Sequence, residues 1–153
     1  MIKSIVNKVG IIGTGIMATD IAKLFLDNNF LVLIYTRSRN SQDKLIKNMQ
    51  LKNKSTQSTD CLISNLTFTY DLEQFITTSL IVEAIIEKFN AKTNMLKLLS
   101  NLMPKNVCIT SNTSSFSINK LARFVRYPER FLGWHFLNPA DKIKLVEIIP
   151  HST

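Results

Sequence analysis

Apolar residues fall in short blocks separated by segments with helical spacing. KVGII (8–12) and LVLIY (31–35) are continuous enough to read as buried strands. Between them, Ile21, Leu24 and Phe25 recur at helical intervals and predict a helix over Met17–Asp27. Asp43–Lys52 is polar except for Leu45, Ile46 and Met49, which share one side of a helix. TFTY (67–70) alternates and predicts a short strand. Asp71 then opens DLEQ, an acidic cap with Gln74 three residues on, so a short helix follows. SLIVEAII (79–86) is the strongest strand. Asn90 caps a helix whose apolar face is Met95, Leu98, Leu99 and Leu102, with Pro104 just past its end. VCITS (107–111) is a strand, Ser117 opens a helix through Leu121, and FLGWHF (131–136) and KLVEII (144–149) are strands. No repeat, linker or low-complexity segment interrupts the series.

Strand and helix alternating in this way predict an α/β fold: a Rossmann-type, doubly wound, mostly parallel sheet covered on both faces. The expected organisation is one domain over residues 1–153, a length that buries a core without disulfides or metal. Apolar residues at 45% and charged residues at 20% match an ordinary globular domain. A net charge of +8 raises nucleic acid, a membrane surface or a phosphorylated ligand as partners. The basic residues are scattered, however, with no basic run, aromatic-interleaved patch or zinc spacing. The expectation is therefore a phosphate-bearing small ligand, with no nucleic acid, membrane or metal. The N-terminal apolar stretch is broken by Lys8 and two glycines, unlike a signal peptide. Cys61 and Cys108 have no paired spacing and read as buried thiols in a reducing cytoplasm.

In parallel sheets ligands bind beyond the carboxyl ends of the strands, so the strand-to-helix junctions carry the candidate chemistry. GTGIMA (13–18) follows a strand and opens a helix. Gly13 permits the tight turn, Gly15 lets the backbone approach a pyrophosphate, and Ile16 and Met17 begin a helix whose N–H groups meet the anion. A bare glycine turn is the alternative. After the second strand, an NAD site normally carries a carboxylate for the ribose hydroxyls. Here Thr36 and Arg37 stand instead, with Arg39 close by, and an arginine that can pair a 2′-phosphate favours NADP over NAD. In VEAIIE (82–87), Glu83 and Glu87 end a buried strand and need partners, and Lys92 can pair with Glu87. SNTSSF (111–116) clusters hydroxyls and an amide, which turns also favour. His135 and Glu147 lie near the ends of two strands. A carboxylate on one imidazole nitrogen would fix the tautomer and leave the other as a base near neutral pH. Spacing alone leaves a core histidine as the other reading.

GxGxM[GA], VEAIxE with its following lysine, SNTSS, GxHFxNP and KLVEII, in this order, resemble the N-terminal domain of the 3-hydroxyacyl-CoA dehydrogenases, from about Lys8 to Ile149. The resemblance implies oxidation of the 3-hydroxyl of an acyl thioester, or the reverse, with NAD or NADP. It implies His135 as the catalytic base, Glu147 as the carboxylate that orients it, and Ser114 as the serine that hydrogen-bonds the substrate oxygen. Asn112 lies beside the nicotinamide end, Glu87 and Lys92 on the cofactor side, and Asn138 in the turn that shapes the substrate site.

This sequence departs from that pattern in three places. Thr36 replaces the usual aspartate. The segment between the second and third strands is shorter than usual, which makes an acyl-carrier-protein thioester an alternative to acyl-CoA. The family's helical C-terminal domain, which closes over substrate and makes the dimer contact, does not follow within these 153 residues. The expectation is a truncated or split form of the enzyme, the helical domain in the split case being separately encoded, or else a non-catalytic dinucleotide-binding module. Closure excludes water and positions substrate. The 153-residue chain alone is therefore expected to bind cofactor but turn over feebly, and robust turnover by the purified chain would contradict this.

Overall fold

The computed structural model describes residues 7–52, 64–140, 142–143 and 145–152. Cys61, Lys144 and the stretch before Asn7 lie outside the described residues. One seven-stranded sheet is built from β1 (Lys8–Ile12), β2 (Leu31–Tyr35), β3 (Leu66–Thr69), β4 (Leu80–Glu83), β5 (Cys108–Ser111), β6 (Phe131–Phe136) and β7 (Val146–Ile149). Helices α1 (Ile16–Asp27), α2 (Arg39–Lys52), α3 (Phe89–Leu102) and α4 (Ile118–Ala122) and 3₁₀ turns at Leu72–Thr77 and Pro128–Arg130 connect them. The strand order is β3-β2-β1-β4-β5-β6-β7, parallel except for the antiparallel β6–β7 pair. The chain leaves β1 toward β2 on one side and returns through β4 on the other. That reversal is the doubly wound α/β arrangement expected from the sequence.

Strand alternation sorts the core into two layers. Val9 and Ile11 of β1, with Val32, Ile34 and Val82, meet Ile21 of α1 and Leu45 of α2. Ile12, Leu33, Ile81 and Ile109 meet Leu96 and Leu99 of α3 and Leu121 of α4 on the opposite face. Buried on both faces, these strands need continuous apolar runs, which is why the blocks were legible.

Element limits moved for identifiable reasons. Helix α2 begins at Arg39 rather than Asp43, because the Ser38 hydroxyl takes the Ser41 N–H at 3.3 Å in the manner of a cap. Strand β4 ends at Glu83 rather than Ile86, because Glu83 Oε1 takes the Ile85 N–H at 2.9 Å and turns the backbone. Helix α3 starts with Lys88, not Asn90, at the cap. Its buried face is Lys92, Leu96 and Leu99, whereas Leu98 and Leu102 are exposed. Two carboxylates hold Lys92 inward and so turn the buried face away from Leu98. After Asp71 the helix is 3₁₀, and Asp71 caps it through the Glu73 N–H rather than with Gln74.

Two packing details set close approaches. Arg130 is buried and its guanidinium donates to the carbonyls of Ser100, Met103, Pro104 and Val107, gathering the C-terminal end of α3. Gly10 leaves room for the fully buried Phe75 ring, and a Cβ there would land on that ring. Gly10→Ala is expected to cost about 1–3 kcal/mol in urea unfolding. Phe75→Leu in the same chain should shrink the cost of the added methyl, and strict additivity of the two changes would refute the clash.

Candidate functional site

The carboxyl ends of β1, β2, β4, β5 and β6 open into a chain of cavities. The first is a cleft of about 550 Å³ lined by Gly13–Met17, by Tyr35, Thr36, Arg37 and Ser41, and by Ala84–Ile86, Ala91 and Met95. A second, about 360 Å³, shares Met17, Ala84 and Ile85 with the first and adds Glu87, Asn112, Ser114, His135, Phe136 and Asn138. A third, about 520 Å³, shares Ser114 and His135 with the second and is bounded by Glu147. Shared walls make these one track, from the glycine turn to the histidine.

The glycine turn is built for close approach. Gly13 adopts φ +128°, and a Cβ there would come within 2.5 Å of the Ala84 carbonyl oxygen. A Cβ on Gly15 would meet nothing within 4 Å, so that position faces open cleft. Gly15 is also the N-cap of α1, without a side-chain cap or an acidic residue in the first turn. The first N–H groups of a twelve-residue helix therefore stand at the cleft with no carboxylate competing for them. These features fit a dinucleotide pyrophosphate. Ile16 is exposed at the helix start, and Met17 lines both the first and second cavities.

At the other end, antiparallel pairing sets His135 directly opposite Glu147. Directly opposed residues point to the same face of a sheet. The imidazole Nδ1 lies 2.8 Å from Glu147 Oε2. The His135 side chain keeps 20% of its surface exposed and Glu147 55%, so the pair sits at a cavity wall and not in the core. With Nδ1 engaged, Nε2 is the nitrogen left to exchange a proton. Ser114 lines the same two cavities as His135.

Beneath the track lies a charge network that the sequence revealed only in part. Lys92 is fully buried, with its Nζ 2.8 Å from Glu83 Oε1 and 3.1 Å from Glu87 Oε2. It lies under the cleft, not in it. Glu83, also fully buried, accepts from Ser111 Oγ at 2.5 Å. Glu87 accepts from Thr113 Oγ1 and, at 2.8 Å, from Ser115 Oγ. Of the serine pair, Ser115 is therefore tied to Glu87, and Ser114 is left for the His135 cavity. Burial opposes the Glu87 charge. The hydrogen bonds from Thr113 and Ser115 and the Lys92 ammonium outweigh it, so the carboxyl is held below the usual glutamate range. Asn112 accepts the Phe136 N–H at 2.8 Å on its side-chain oxygen, stapling β5 to β6, while Asn138 stays in the second cavity.

Glu83, Ser111, Thr113 and Ser115 were not singled out from sequence as a unit. The signal was present: two carboxylates ending a buried strand require donors, and SNTSS supplies them. Met95, read as part of the core face, lines the first cleft with Ala91, one helical turn away. Among the described residues no cluster of three or more His, Cys, Asp or Glu could hold a metal ion, and no helix is long and apolar enough to cross a membrane.

A doubly wound sheet with a glycine turn and an open helix start at its carboxyl edge defines the class: a dinucleotide-binding domain. Residues 8–153 match the family model described as 3-hydroxyacyl-CoA dehydrogenase, NAD binding domain, and the chain belongs to that family. It is 32% identical over 149 residues to a probable 3-hydroxybutyryl-CoA dehydrogenase of Deinococcus radiodurans, covering 93% of this chain and 54% of that protein. It is also 32% identical over 150 residues to the 3-hydroxybutyryl-CoA dehydrogenase of Clostridioides difficile, covering 93% and 53%. Among solved structures, the (S)-3-hydroxybutyryl-CoA dehydrogenase of Ralstonia eutropha superposes with a TM-score of 0.87 at 28% identity, covering 94% of this chain and 53% of that one. The 3-hydroxybutyryl-CoA dehydrogenase of Escherichia coli K12 gives 0.84 at 30%, covering 94% and 32%. The chain thus spans about half the length of the curated relatives it matches.

Two outcomes test the network. Lys92→Met leaves two carboxylates facing each other and should destabilise the fold by about 3–5 kcal/mol in urea unfolding; a loss under about 1 kcal/mol would remove the network from its structural role. Because the Glu87 carboxyl titrates lower in the folded chain than in the unfolded chain, its contribution is complete above the unfolded value and is lost as pH falls through the folded one. Glu87→Gln should therefore show a shallower fall in urea midpoint than the parent chain from about pH 5 to about pH 3. Equal slopes would contradict the assignment.

Proposed function

We propose that this domain carries the cofactor-binding and proton-transfer half of a 3-hydroxyacyl-thioester dehydrogenase. The observation that carries the reading is the His135–Glu147 pair, at 2.8 Å, on a cavity wall continuous with the glycine-turn cleft. A bound nicotinamide dinucleotide would supply the hydride chemistry. Gly13, Gly15 and the first turn of α1, through Ile16 and Met17, would hold its pyrophosphate. Asn112, Glu87 and, from beneath, Lys92 would shape the chamber at its reactive end. In the oxidative direction, His135 Nε2 takes the proton of the substrate 3-hydroxyl while hydride leaves C3. Glu147 holds the ring in the required tautomer and stabilises the imidazolium that forms. Ser114 donates to the substrate oxygen, and Asn138 borders the acyl side.

The substrate class is an acyl-CoA, in keeping with the names of the relatives, and an acyl-carrier-protein thioester is the alternative. Helical chain of the kind that completes the longer relatives would close over the thioester, and the cytoplasm is the compartment we assign. In the protein assembled with that helical part, His135→Asn should lower acetoacetyl-CoA reduction by about 10²–10⁴-fold. Binding of reduced dinucleotide, followed by its fluorescence, should change by less than about two-fold. Retention of more than about a tenth of the activity would sink the assignment. Acetoacetyl-acyl carrier protein run beside the CoA ester decides the carrier.

A further inference from the structure

The cleft wall at the end of β2 lacks what NAD recognition requires, and it holds what a phosphate requires. A carboxylate at this place accepts hydrogen bonds from the adenosine ribose hydroxyls. Thr36 stands there instead, 2% exposed. Its hydroxyl is already committed, donating to the Ser38 carbonyl at 2.9 Å and accepting the Ser38 N–H at 3.3 Å. Among the described residues no Asp or Glu lines this cleft, and Arg37 is the one charged residue in its wall. Arg37 is exposed and forms no salt bridge among the described residues. Ser41 lines the same wall, hydroxyl to hydroxyl with Ser38 at 2.9 Å, and α2 carries no acidic residue in its first turn.

We propose that this subsite selects the 2′-phosphorylated dinucleotide, NADP(H), over NAD(H), with Arg37 as the specificity-determining residue. The inference rests on the dinucleotide-binding part of the proposed function and deepens it. A guanidinium offers a planar fork of donors that matches phosphate, and such charge-assisted bonds are roughly twice as strong as neutral ones. The Ser41 hydroxyl adds a neutral donor from the same wall. A ribose 2′-hydroxyl would find no carboxylate acceptor here and would leave Arg37 unpaired, so the discrimination comes from both sides of the comparison.

Fluorescence titration of the chain with NADPH and NADH, at one fixed salt concentration, tests this without turnover. NADPH should bind at least about ten-fold more tightly. Arg37→Ala should remove most of that preference by weakening NADPH while moving NADH less than about two-fold. Arg39→Ala, at the neighbouring arginine that does not line the cleft, should leave the preference in place. Thr36→Asp with Arg37→Ala should invert it. In competition, adenosine 2′,5′-bisphosphate should displace bound NADPH at lower concentration than 5′-AMP. NADH binding as tightly as NADPH, or a preference indifferent to Arg37→Ala, would overturn the inference and leave the dehydrogenase reading standing. Binding of neither dinucleotide would overturn both.

Discussion

The active edge of this domain is organised around one buried cation. An ammonium with no solvent exposure is costly unless its charge is met by carboxylates and its hydrogens by acceptors. Glu83 and Glu87 meet both needs for Lys92. Because those carboxylates recruit Ser111, Thr113 and Ser115 in turn, the network ties α3 to the ends of β4 and β5 and to the loop carrying Ser114. The same Glu83 ends β4 by taking the Ile85 N–H. Electrostatic satisfaction therefore helps set the loop floor of the second cavity, beside the packing of Phe116 on Phe89. Removing the cation would affect several elements at once.

The His135–Glu147 pair is held by a different device. Neither side chain is buried, so no desolvation cost fixes their contact. Strand register does: β6 and β7 pair so that Gly133 meets Ile149, Trp134 meets Ile148 and His135 meets Glu147. A slip of one residue would send the carboxylate to the other face of the sheet. Gly133 allows close packing beside the pair, since a Cβ there would lie 2.7 Å from Ile118 of α4 and 3.1 Å from Ile149.

These two devices explain what could be read from sequence. Buried parallel strands announce themselves as apolar runs, and the turn GTGIMA announces itself by its glycines, so the sheet and the cofactor end were legible. The His135–Glu147 contact depends on antiparallel register across a twelve-residue interval. Local pattern does not encode that register: it raised the two residues as a candidate pair and left a core histidine open, and the resemblance pointed to the contact. The expected face of α3 brought Leu98 inward, whereas two carboxylates hold Lys92 inside and turn the buried face to Lys92, Leu96 and Leu99. Glu83 carried the corrective signal, since a carboxylate ending a buried strand needs a cation of its own. The hydroxyl cluster after β5 was ambiguous because turn-forming and charge-satisfying serines have the same composition. Geometry separates them: Ser115 bonds Glu87, while Ser114 lines the cavity with His135.

Charge along the track gives it a direction. At the β2 end stand Arg37 and, nearby, the open N-terminus of α1, both electropositive. Midway, two carboxylates and one ammonium leave a net negative charge, and Glu87 is the member of that group with a side chain partly open, at 35%. Beyond it lies His135, whose ring nitrogen is steadied by a further carboxylate. A phosphate is favoured at the first end and disfavoured near Glu87, so charge alone would orient a dinucleotide along the cleft on the proposed reading. That polarity fits the proposal that the phosphate-bearing adenosine half lies by Arg37 with the other half toward the histidine. On the proposed reading, recognition at one end and proton transfer at the other would draw on opposite charges set at the ends of five strands.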